Sequence, residues 1–323
     1  MWSLKFKMSL LLIILFSIIY AGIAIIGTII GIANFYFYLV ISLALMFFQY
    51  MIGPRIVEWQ MRIKYIEGGE YLNLQRMVEE LSQKAGIPKP KIGIAKLPIP
   101  NAFAFGRSLS DGRVCVTEGI LQLLNEEELK AVLGHEITHL KNRDVLFITI
   151  LSVIPLLLYH ISWHLFWFGG GRRREQGGNI ALVGAIAFLF YFITNLLVLY
   201  ASRIREYFAD KGAVYLGNKP STLASALYKL VYASAQVDKE SLKKVGALKA
   251  FFLNDPHQAV DEIQELSQID IDKSGTIDPY ELEALRRKKI NLRFSDRLLE
   301  ILTTHPNMLK RIKQLSQYQQ LVS

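Results

Sequence analysis

The chain has 323 residues, 52% of them hydrophobic, with 37 basic against 28 acidic side chains for a net charge of +9. Its positive mean hydropathy excludes an ordinary soluble domain and points to a membrane-embedded protein. A single cysteine, Cys115, excludes an intramolecular disulfide framework and fits a reducing compartment.

From Met8 to Pro54 no Asp, Glu, Lys or Arg occurs. One membrane crossing needs about 20 apolar residues, so this run accommodates two helices, Met8 to Ile30 and Phe35 to Met51, and residues 1–53 read as a transmembrane hairpin. Lys5, Lys7, Arg55, Arg62 and Lys64 bracket it, and the positive-inside bias puts the N-terminus and the following segment on the cytoplasmic side of the cell membrane. The basic excess is accounted for by that bias and by anionic lipid headgroups, so lipid is an expected partner and nucleic acid is not.

Residues 54–144 read as the first part of a non-membrane domain. Periodicity predicts a helix over Tyr71 to Ala85 and short strands over Lys91 to Lys96, Asn101 to Arg107 and Arg113 to Thr117, the last holding Cys115 as a buried thiol. Asn125 followed by Glu128 is an N-cap with its capping-box partner, so a helix starts near Glu126. It carries "GHEITH", which sets His135 and His139 one turn apart on one face, where two imidazole nitrogens can reach a single metal ion. Glu136 sits beside that face, within reach of a water on the metal. H-E-x-x-H alone also arises by chance, so a third ligand is required.

Two more uncharged runs follow, Val145 to Gly171 and Gln176 to Ser202, separated by Arg172, Arg173 and Arg174. Residues 145–202 therefore read as a second membrane hairpin. Pro155, His160, His164 and Asn195 make it more polar than the first, which leaves a re-entrant path open. The three arginines would face the side opposite to the other basic residues.

Residues 203–323 read as the second, helical part of the domain. They open on "SRIREYFADKGA", where Glu206 and Asp210 are four apart on one helix face. An even number of crossings returns the chain to the side it left, so Glu206 can join the two histidines, although a solvated face beside Arg203 and Arg205 is the plain alternative. A His-His-Glu set leaves zinc one position open for water, the arrangement of a catalytic site. Glu136 could then move the proton in amide hydrolysis, and Asp210 could hold an imidazole N–H.

"PNAFAFGR", "GHEITHLKNRD", "SRIREYFADKGA" and "THPNMLKRI", in that order around an apolar hairpin, resemble the HtpX membrane metalloproteases, relatives of the CAAX prenyl endopeptidases. The resemblance implies a gluzincin-type fold, zinc held by His135, His139 and Glu206, Glu136 as catalytic acid and base, and proteolytic quality control of membrane proteins. It also implies that Asn101, Ala102, Phe103 and Ala104 belong to an edge strand beside the site, where a peptide could pair through main-chain hydrogen bonds. A strand that merely packs Phe103 and Phe105 is compatible with the same residues. His305 and Arg311 match the C-terminal motif and would line the cleft or hold Asp210, unless they only begin a basic helix.

One segment lies outside that resemblance. "DIDKSGTIDPYE" fits the twelve-residue EF-hand loop, with Asp270, Asp272 and Ser274 at positions 1, 3 and 5 and Gly275 at the turn. Thr276 offers its carbonyl at 7, Asp278 stands at 9 and Glu281 at 12. Calcium is the expected ion, and an acidic surface turn is the alternative.

The expected fold is thus mainly α with a small antiparallel β-sheet, about four transmembrane helices and one zinc peptidase domain interrupted by the second hairpin. The expected activity is hydrolysis of protein or peptide substrates. Two other classes remain open from sequence: a calcium-responsive membrane scaffold with a structural metal, and a transporter using His160, His164 and Asn195.

Overall fold

The computed structural model describes residues 35–144, 146–148, 155, 158–159, 161–162, 165, 177–236, 262–263, 266–288 and 300–319. The expected span Met8 to Ile30, most of the run from Val145 to Gly171, His160, His164 and Arg172 to Arg174 lie outside the described residues. The chain divides into two compact units, one of residues 1–52 with 146–202 and one of residues 53–145 with 203–323.

In the first unit, helix α1 (Phe35–Gln60) begins where the sequence places the second apolar helix and continues through Pro54 into the second unit. Helix α5 (Gly177–Tyr215) includes most of the uncharged run Gln176 to Ser202 and, beyond it, Glu206 and Asp210. Among the described residues, one segment, Leu182–Tyr215, is long and apolar enough to cross a membrane. Leu158, Val198 and Ala201 form a small apolar cluster of this unit.

The second unit holds a four-stranded sheet of β1 (Ile63–Tyr65), β2 (Lys91–Ala95), β3 (Ala102–Phe105) and β4 (Arg113–Thr117), ordered β1-β2-β4-β3. The sheet is mixed, which corrects the antiparallel expectation: β1 is antiparallel to β2 and β3 to β4, but β2 and β4 run parallel. The reason is the path between them. Strand β3 turns back through a 3-10 turn at Leu109–Asp111 to pair with the far side of β4, so the chain enters β4 in the direction it took through β2. Flanked on both sides, β4 is buried along its whole length, as expected for a strand covered on two faces. Val114 and Val116 point to the main core, Cys115 to a second cluster with Val57, Met61, Phe103 and Phe105.

Helices α2 (Leu72–Ala85), α3 (Glu118–Leu123), α4 (Glu126–Lys141), α6 (Pro220–Ala235), α7 (Pro279–Arg287) and α8 (Met308–Ser316) complete the unit. The capping box that starts α4 is formed as the sequence predicts: Glu128 N–H donates to Asn125 Oδ1 at 2.9 Å, and Asn125 N–H to Glu128 Oε2 at 3.1 Å. Burial of this carboxylate is compensated from α6, where Ser225 Oγ donates to Glu128 Oε1 at 2.8 Å and Lys229 Nζ lies 2.8 Å from the same atom. Strand β1 and helix α3 are too short to register in the apolar periodicity.

Candidate metal centre

Helix α4 lies on the sheet against β3. Small residues make that approach possible, because Ala102 and Ala104 turn toward the helix while Phe103 and Phe105 fill the cluster behind the sheet. The opposite approach, to the end of α5, depends on two glycines. A Cβ on Gly212 would come within 2.2 Å of Thr138 Cγ2, and one on Gly134 within 2.5 Å of the Asn218 amide. These clearances bring Glu206 to the histidines.

His135, His139 and Glu206 can each direct one ligand atom into a group no more than 4.8 Å across. The two Nε2 atoms are 3.0 Å apart, and each lies 3.5 Å from a different oxygen of Glu206. The far side of each ring explains this convergence. His135 Nδ1 lies 2.9 Å from Asp210 Oδ1, and His139 Nδ1 lies 2.6 Å from Asp144 Oδ2. A carboxylate at Nδ1 keeps the proton of a neutral imidazole there, which leaves both Nε2 lone pairs aimed at one point. With both rings neutral, the two Nε2 atoms and the buried Glu206 carboxylate form a donor set suited to a divalent cation with nitrogen and carboxylate preference, as zinc has.

Cations hold the outer carboxylates. Arg311, fully buried, donates from Nε and Nη2 to the two oxygens of Asp210 at 3.0 and 2.7 Å, and its Nη1 lies 3.3 Å from Glu206. Burial alone would lower the guanidinium pKa, but the two carboxylates raise it, so it stays charged. Arg205 Nε lies 3.0 Å from Asp144 Oδ1. Arg203 donates to the carbonyls of Ile301 and Thr303 and so ties the segment that bears His305 to α5. His305 Nδ1 is 3.5 Å from Glu206. In the metal-free protein, burial would lower the His135 pKa, but hydrogen bonds to Asp210 and Glu206 outweigh it and raise the pKa to about 9.

Glu136 is buried, which lifts its pKa above the ordinary glutamate range against the opposing pull of His135 and His139. Its carboxylate accepts the backbone N–H of Ala104. Strand β3 has β4 as its one neighbour among the described residues, so that N–H belongs to the open edge. Asn101 is held at the head of the strand, where its N–H donates to Thr117 Oγ1 at 2.8 Å and its carbonyl accepts the Thr117 N–H at 2.9 Å.

Sequence reasoning did not assign Asp144, Arg205 or Arg203. Asp144 stands in the quoted "HLKNRD" but five residues beyond His139, off the helix face. The left-handed backbone of Arg143, at φ 57°, is what turns the chain back.

The 270–281 loop gathers Asp270, Asp272 and Glu281 into a second group within 4.8 Å. Ser274 and Thr276 hydrogen-bond to each other through their hydroxyls at 2.9 Å, and Asp278 caps α7 by accepting the Glu281 N–H at 2.8 Å.

The pattern of peptidase family M48 matches residues 70–319. The chain belongs to peptidase family M48. Its similarity is to the HtpX branch: it is 48% identical over 238 residues to a protease HtpX homolog of Methanothermobacter thermautotrophicus, covering 74% of this chain and 90% of that protein. A protease HtpX homolog of Pyrococcus furiosus is 39% identical over 232 residues, 70% of this chain and 79% of the relative. The crystal structure of S. mikatae Ste24p shares the fold, with a TM-score of 0.51 at 17% identity, over 97% of this chain and 66% of that one.

Proposed function

We propose that this M48 protein is a zinc-dependent membrane endopeptidase that hydrolyses peptide bonds of misfolded or membrane-associated proteins on the cytoplasmic side. The observation that carries the reading is the meeting of the two Nε2 atoms and a Glu206 oxygen beside a buried Glu136. Zinc held by His135, His139 and Glu206 would act as a Lewis acid toward the scissile carbonyl and lower the pKa of water.

The chain's own residues do the rest. Glu136, with its raised pKa, takes a proton from the attacking water and delivers it to the leaving amine. The open edge of β3, from Asn101 to Ala104, accepts an extended peptide as an added strand. Its main-chain hydrogen bonds would align the scissile bond with Glu136 and require little of the substrate's side chains. Asp210 and Asp144 orient the imidazoles as positioning residues, and Arg311 keeps Asp210 and Glu206 ionised. His305 lines the cleft beside Glu206.

The test compares the wild type with Glu136→Gln and Glu206→Ala, measuring bound zinc and cleavage of casein in detergent. Glu136→Gln is expected to keep the metal while turnover falls by about 10²–10⁴-fold, and Glu206→Ala to lose both. Undiminished cleavage by Glu136→Gln would end this reading.

A further inference from the structure

The acidic loop before α7 plays no part in the peptidase chemistry, and it carries an inference that holds whether or not the protein cleaves peptides. The first observation is register. Over Asp270 to Glu281 the oxygen-bearing residues stand at positions 1, 3, 5, 7, 9 and 12, with glycine at 6, the order that gives calcium its oxygen ligands. Ile277 at position 8 is buried at 2% exposure within the main core and anchors the loop there.

The second observation is independent of register and concerns charge. Asp270 is 7% and Glu281 2% exposed. Among the described residues no Lys, Arg or His stands within ion-pair distance of either. Their oxygens rest instead on neutral donors. Asp270 accepts the N–H groups of Ser274 and Gly275 and the hydroxyl of Tyr228, each at 2.9 Å, and Glu281 accepts the N–H groups of Ile271 and Asp278 at 2.6 and 3.0 Å. Asp272 crowds the same point. Buried carboxylates are costly without a counter-charge, and an all-oxygen set selects a hard divalent cation over the nitrogen-preferring ion of the first site.

The third observation is what the loop touches. Tyr228 lies on α6, the helix whose Ser225 and Lys229 hold Glu128 in the first turn of α4. On the other flank, Leu282 and Leu285 of α7 share the core with Met308, Ile312 and Leu315 of α8, the helix that presents Arg311 to Asp210 and Glu206. We propose that the Asp270–Glu281 loop binds one calcium ion, and that its occupancy braces α6 and α8 against the His135–His139–Glu206 centre.

The experiment uses the full-length, zinc-loaded protein in detergent and adds calcium chloride, following heat of binding and melting temperature. The comparison variant is Glu281→Gln, whose amide oxygen can keep the capping-box bond to Asp278 N–H, while the charge and the acceptor for the Ile271 N–H are lost. One calcium per chain is expected, with a rise of roughly 5 °C or more in Tm at a hundredfold excess over Kd, and loss of both in Glu281→Gln. If that variant fails to fold, Asp272→Asn at an exposed position gives the same comparison. No binding by the wild type up to about 1 mM free calcium, the weak end of the EF-hand range, would overturn the site. So would undiminished binding by both variants, or tighter binding of magnesium chloride than of calcium. The brace has its own readout: zinc release to a chromophoric chelator should be slower with calcium than without in the wild type and indifferent to calcium in Glu281→Gln. Equal rates in the wild type would overturn the linkage. None of these measurements uses proteolysis, so a failed peptidase assay and a failed calcium titration are separate results.

Discussion

Two carboxylate clusters in one unit are built on opposite principles. Around His135 and His139, each carboxylate meets a cationic or imidazole partner supplied by the fold: Arg311 for Asp210 and Glu206, Arg205 for Asp144. In the 270–281 loop the carboxylates meet backbone N–H groups and one tyrosine hydroxyl. The difference matters because dipoles satisfy hydrogen-bonding capacity without cancelling charge. The first centre is held in shape by side chains from three separate stretches of chain, residues 135–144, 203–210 and 305–311. The second is made within twelve residues plus Tyr228, and no described cation pairs with Asp270 or Glu281.

The comparison breaks most forcefully at Arg311. Arg311→Leu strands Asp210 without its cation, and a loss of about 3–5 kcal/mol is expected from urea unfolding of the metal-free protein. A loss below about 1 kcal/mol would mean that the cation does not hold the first centre together. Next comes the glycine contact. Gly212→Leu forces α5 away from Thr138, with an overpacking cost of about 1–3 kcal/mol and a fall in bound zinc by metal analysis.

Asp144→Asn keeps a hydrogen-bond acceptor but loses the charge at His139 Nδ1. Zinc affinity, measured by chelator competition, should weaken by about 10–100-fold. At the second cluster the corresponding charge removal should be mild. In calcium-free protein Asp272→Asn, which keeps the oxygen that accepts the Ser274 N–H, should leave the urea-unfolding midpoint close to the wild-type value, and a marked drop would erase the contrast between the two clusters.

Proton linkage sharpens the same contrast. His135 has its folded pKa raised to about 9 in the metal-free state, above an unfolded value near 6.5. Its contribution to stability is therefore complete below about pH 6.5 and lost as the pH rises through about 9. Zinc requires the unprotonated ring, so zinc affinity should rise across the window in which metal-free stability falls. Parallel melts with and without zinc between pH 6 and 9.5 would read both, and a metal-free Tm that climbs over this range would contradict the assignment.

Much of the first centre could be read from the chain because its central pair is local. A capping box starts α4, and four-residue spacing places both histidines on one face whatever the rest of the fold does. Glu206 was accessible only through an argument about an even number of crossings, and Asp210 through its spacing from Glu206. Asp144 and Arg205 escaped notice because the bond between them closes across a backbone reversal at Arg143. The sheet was misread as antiparallel for a related reason: strand direction depends on where β3 pairs, and three short apolar runs carry no record of that.

What the sequence determined alone are the features whose geometry is complete within one helix or one loop: the H-E-x-x-H pair, the capping boxes, the twelve-residue register from Asp270 to Glu281, and the long uncharged runs. Tertiary structure decided which carboxylate faces which imidazole, which arginine neutralises it, and which edge of the sheet lies open beside Glu136. The physical reason is that local periodicity fixes direction within an element, whereas contacts 61 to 105 residues apart in the chain exist only once Gly134, Gly212 and the alanines of β3 let the elements close to van der Waals distance.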